Sequence, residues 1–97
     1  MILGLSFSIQ STPPPTYYTY TFSTATSNSP ATACGYSFAM DLYSSSATLD
    51  VGSILYTDVL LTSAYVGNNA YHSLRTAGIN KYVRIDTVGT VIIIGDC

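Results

Sequence analysis

Charge is scarce in this chain. Only 8% of its 97 residues are Asp, Glu, Lys or Arg, against roughly a quarter in an ordinary soluble domain. Glu is absent, and the five acids are Asp41, Asp50, Asp58, Asp86 and Asp96. The three bases are Arg75, Lys81 and Arg84. They are too few to neutralise a phosphate backbone, which excludes a nucleic-acid partner. The helix-surface residues Glu, Lys, Gln and Arg are equally sparse, which argues against a helical protein. One histidine (His72) and two distant cysteines (Cys34, Cys97) fall short of a structural zinc set. The aspartates lack the spacing of a calcium loop, so calcium held by a few of them is the remaining metal alternative; no metal and no cofactor are expected. No G-x-S-x-G elbow occurs, nor a Cys–His pair at a recognisable spacing, and nothing marks one of the 13 serines as a nucleophile. No enzyme is expected, and His72 reads first as a surface or turn residue. No apolar run reaches the ~20 residues of a membrane-spanning helix.

What is present points to strands. The apolar fraction is 47%, with nine Tyr, three Phe, 13 Ser and 13 Thr. β-Branched and aromatic residues suit a pleated, half-buried surface. The expected class is all-β, a small β-sandwich or barrel with an extended two-strand N-terminal arm. The opening MILGLSFSIQ has no basic residue before an apolar core, as an export signal requires. It alternates instead: Leu3, Leu5, Phe7 and Ile9 on one face, Gly4, Ser6, Ser8 and Gln10 on the other. A strand kept in the protein is expected. STPPPT (11–16) then forces an extended spacer. In YYTYTFST a second alternation places Tyr18, Tyr20 and Phe22 together. The small, polar residues 25–33 read as a linker. Residues 1–33 are therefore expected to be an arm that docks to other subunits, and 34–97 a compact module.

Within 34–97, short strands are expected near 36–43, 47–50, 53–57, 70–76, 80–86 and 90–95, with no helix. The run Val91–Ile94 is apolar on both faces and should lie centrally. Cys34 and Cys97 bracket the module, and a disulfide between them would stabilise by on the order of 4 kcal/mol in the chain-entropy model; two reduced thiols are the alternative. Asp58, in LYTDVLLT, most simply supports a turn. The nine tyrosines either fill the core and subunit contacts or offer flat faces to sugars. Tyr43 and Tyr56 read as structural. Tyr65 and Tyr71 flank the turn VGNNA, so Tyr65, Asn68, Asn69, Tyr71 and His72 are the candidate contacts for a host glycan.

Cys34, Leu42–Tyr43, Leu49, Gly52, the run Leu55–Tyr56–Thr57–Asp58, Leu61–Thr62, Gly67, Tyr71, Tyr82–Val83, Ile85, Gly89, Val91, Ile94 and Cys97 form a longer pattern. It resembles a cysteine-bounded module with an LYTD-x-x-LT core, found in surface proteins of Bacteroidetes, flavobacteria especially, and in virion proteins of their phages. The resemblance covers residues 34–97. With a retained N-terminal strand, it implies a phage virion structural protein: a spike, penton or capsid decoration subunit. Such a subunit acts in capsid assembly and host attachment. The implied partners are other virion proteins and further copies of the chain, as a trimer or pentamer. The implied location is the extracellular particle. A bacterial cell-surface adhesion or carbohydrate-binding module is the alternative.

Overall fold

The structure is a computed structural model and describes residues 15–97. The expected strand through Leu3, Leu5, Phe7 and Ile9 lies outside the described residues. Five strands and one short helix follow in chain order: β1 (Tyr18–Phe22), α1 (Pro30–Ala33), β2 (Met40–Ser44), β3 (Ala70–Thr76), β4 (Ile79–Ile85) and β5 (Val91–Asp96). The strands form one antiparallel sheet in the order β2-β1-β3-β4-β5. The all-β class is therefore as expected.

Period-two alternation selects the core. Tyr20 and Phe22 from β1, Leu42 from β2, Leu74 from β3, Val83 and Ile85 from β4 and Val91 from β5 point to one side. Leu49 and Leu55 cap them from the long connection between β2 and β3, and Met40, Tyr65 and Ile94 pack at the margin.

That connection also ties the two sheet edges together. Tyr43 and Tyr56 exchange both backbone hydrogen bonds (2.9 and 2.7 Å). On the other side Val91 N–H donates to Ser53 O (2.8 Å), Gly52 N–H to Val91 O (2.9 Å) and Leu55 N–H to Gly89 O (2.8 Å). The sheet thus curls until β2 and the start of β5 share one bridging segment, a barrel-like closure that leaves less edge unpaired.

Several expectations are corrected. Tyr18, Tyr20 and Phe22 do not form a separate arm; β1 sits between β2 and β3, and Phe22 is completely buried. A boundary at 33/34 would cut through the sheet. The linker contains helix α1. Ser29 caps it by accepting from Thr32 N–H (3.4 Å), and Pro30 takes the first turn, where its missing N–H costs nothing. Residues 47–50 and 53–57 are not strands. Asp50 closes a turn there, its carboxylate accepting from Val51 N–H and its carbonyl from Ser53 N–H, and the backbone then makes only single bridges. Finally, β5 ends the strand order rather than lying centrally, and most of it is half-buried. The ring of its cross-strand neighbour Tyr82 lies over Gly95 on one face of the sheet, where no Cβ would fit.

A disulfide joins Cys34, directly after α1, to Cys97, directly after β5, across 63 residues. It pins the helix to the far edge of the sheet.

Candidate functional site

The expected glycan-contact residues divide between two faces. Gly67–Ala70 is a turn centred on Asn68 and Asn69, both exposed and both left-handed (φ 55° and 58°), closed by Ala70 N–H donating to Gly67 O (3.2 Å). Asn is among the few side chains that tolerate this backbone region, so the sequence suits the turn. Gly67 itself is needed for close approach: a Cβ there would lie 2.3 Å from the carbonyl oxygen of Ile85. Strand alternation then sends Tyr71 outward and His72 inward.

His72 is fully buried, which corrects its reading as a surface residue. Its Nδ1 lies 2.8 Å from Ser23 O and its Nε2 3.2 Å from the Tyr65 hydroxyl. A carbonyl only accepts, so Nδ1 carries the proton and Tyr65 donates to Nε2. The Phe22 and Tyr65 rings stand edge-on to the imidazole. Burial pushes the His72 pKa below its ordinary value, with the bond to Ser23 acting the other way. Burial likewise raises the Tyr65 phenol. The neighbouring serine protons go elsewhere: Ser23 Oγ donates to Ala25 O and Ser73 Oγ to Tyr36 O. Tyr65 and His72 thus belong to a satisfied buried polar cluster.

Asn68, Asn69 and Tyr71 remain at the surface, joined by two residues that the sequence reading missed. Register places Arg84 directly opposite Tyr71 and Tyr82 opposite Ser73. The Arg84 guanidinium lies 5.7 Å from the Tyr71 ring centre, and its Nε–H donates to Asn69 O (2.8 Å). The Tyr71 and Tyr82 rings meet edge to face at 5.9 Å. A signal for this pairing exists in the sequence. Ala77–Gly78 is a two-residue hairpin turn with φ of 51° and 76°, and fixing it fixes the register on both sides. A shallow depression of about 280 Å³ opens beside the patch between Pro30, Ala31, Cys34, Tyr82, Asp96 and Cys97.

The LYTD stretch builds a second feature. The Asp58 carboxylate accepts from Thr62 N–H (3.0 Å), Ser63 N–H (3.0 Å) and the Thr62 hydroxyl. These bonds lower its pKa, the Thr62 hydroxyl most. Thr57 N–H donates to Ser63 O (2.9 Å) and closes the loop at its base. Leu61 takes a left-handed φ of 58°, and Val59 and Leu60 stand exposed at the tip.

Among the described residues no three His, Cys, Asp or Glu side chains group as metal ligands, and no helix is long and apolar enough to cross a membrane. Compared with known proteins, the chain matches no family model, no curated protein and no solved structure.

Proposed function

We propose that this chain is a structural subunit of a phage virion, a spike, penton or capsid decoration protein that works by assembly. The observation that carries this reading is the Asp58 loop. It holds Val59 and Leu60 in solvent, 40% and 56% exposed, at the centre of the pattern that resembles virion modules of Bacteroidetes phages. Three hydrogen bonds accepted by one carboxylate set the loop in place, so little ordering remains when an apolar partner surface meets it. Tyr17, Val51, Ile54, Val66, Ile79 and Val88 are further large apolar residues on the surface. A surface so poor in charge repels further copies weakly. Closed rings of three or five copies suit such a part.

Light scattering and native mass spectrometry of the full chain test this. A discrete trimer or pentamer that Leu60→Asp dissolves, with the circular-dichroism spectrum unchanged, is the expected result. A monomer at all concentrations would count against assembly. The second reading, attachment to a host glycan, is favoured by the Tyr71–Arg84 patch.

A further inference from the structure

We infer that the patch formed by Tyr71, Tyr82, Arg84 and the Asn68–Asn69 turn binds a carboxylate-bearing sugar. Arg84 is the centre of the site. Its Nε–H is committed to Asn69 O, which fixes the guanidinium plane and leaves the terminal N–H groups for a ligand. A fork held in this way matches the two oxygens of a carboxylate. Among the described residues the ion pair is Lys81–Asp96, so Arg84 has no carboxylate partner there. The nearest acid in sequence, Asp86, accepts instead from the backbone N–H groups of Val88 and Thr90.

The surroundings favour a sugar over a bare anion. Tyr71 and Tyr82 are half-buried and meet at a steep angle, with Arg84 over the Tyr71 ring, Gly95 against the Tyr82 ring and a hydroxyl at the end of each. The part of each ring left to solvent packs on the C–H side of a pyranose while the hydroxyls bond at its rim. The exposed Asn68 side chain, offering both donors and an acceptor, stands at the edge of the same turn. The charge is placed where it counts: the chain carries a net charge of −2, and this patch sets one of its three bases in an aromatic frame.

The inference extends the attachment reading and does not depend on assembly; a monomer that binds the sugar would refute assembly and leave the site standing. The test is a two-dimensional NMR titration of the isotope-labelled full chain with glucuronate, N-acetylneuraminate, glucose and acetate. The two acidic sugars should shift the Asn69, Tyr71 and Arg84 signals, and glucose and acetate should move them far less. Arg84→Gln should weaken the acidic sugars by about tenfold or more with the rest of the spectrum unchanged. Tyr71→Ala should weaken them too while leaving any acetate response. Equal shifts with glucose would remove the role of the carboxylate, and equal shifts with acetate would remove that of the ring. Silence with both acidic sugars would overturn the site.

Discussion

At the residue scale, His72 makes folding sensitive to pH. Its folded pKa lies below its ordinary value of 6.5, burial being the main cause. As pH falls through about 6.5 the unfolded chain binds a proton that the folded chain refuses, so stability falls toward acid and is flat above neutrality. The slope from this one group is at most about 1.4 kcal/mol per pH unit. Urea unfolding between pH 7.5 and 5 should show it, and His72→Asn should flatten it; a persistent slope would assign the effect to another group. Asp58 acts in a separate window. Its lowered pKa gives stability that is present above its ordinary value of 3.8 and lost only as pH falls further. Gly67 is the second sensitive residue. Gly67→Ala forces a methyl into Ile85 and should cost about 1–3 kcal/mol, read as a fall in the denaturant midpoint.

At the element scale, the hairpin turns carry strain that can be tested. Ala77 holds a left-handed φ of 51° at the first position of the β3–β4 turn. An alanine there costs on the order of 1 kcal/mol relative to a residue free of the Cβ clash. Ala77→Gly or Ala77→Asn should therefore raise the melting temperature, and a fall would mean that the methyl makes a compensating contact. The Asp58 loop offers an independent check. Asp58→Ala removes the acceptor for the Thr62 and Ser63 amides. Hydrogen exchange at those two amides should accelerate while the β3 and β4 amides stay protected; uniform acceleration would show that the loop supports the whole sheet.

At the scale of the whole molecule, chain order and spatial order differ. β1 is early in the sequence yet second in the sheet, bonded on both sides. Removing residues 1–24 takes Tyr20 and Phe22 from the core and parts β2 from β3. The remaining fragment should be unfolded by circular dichroism; a cooperative transition would restore an independent 34–97 module. The disulfide is the other global restraint. Replacing both Cys34 and Cys97 by Ser should lower stability by on the order of 4 kcal/mol.

Much of this was legible from local pattern. The lack of Glu and the wealth of Tyr, Thr and Val specify strands, because those side chains fit a pleat rather than a helix surface. Alternation in 18–22 marks Tyr20 and Phe22 as one face, and the turn residues Asn68–Asn69 and Gly78 mark two bends. Ser29–Pro30 carries a helix start that a search for periodicity overlooks in an element of four residues. Beyond a tight hairpin such as Ala77–Gly78, sequence pattern cannot say which partner a strand takes, because backbone hydrogen bonds are the same for any partner. Only the tertiary structure inserted β1 between β2 and β3, used residues 52–56 to join the sheet edges, and chose the face of β3 that carries His72 into the core. Local chemistry sets an element's faces; long-range packing decides what each face meets.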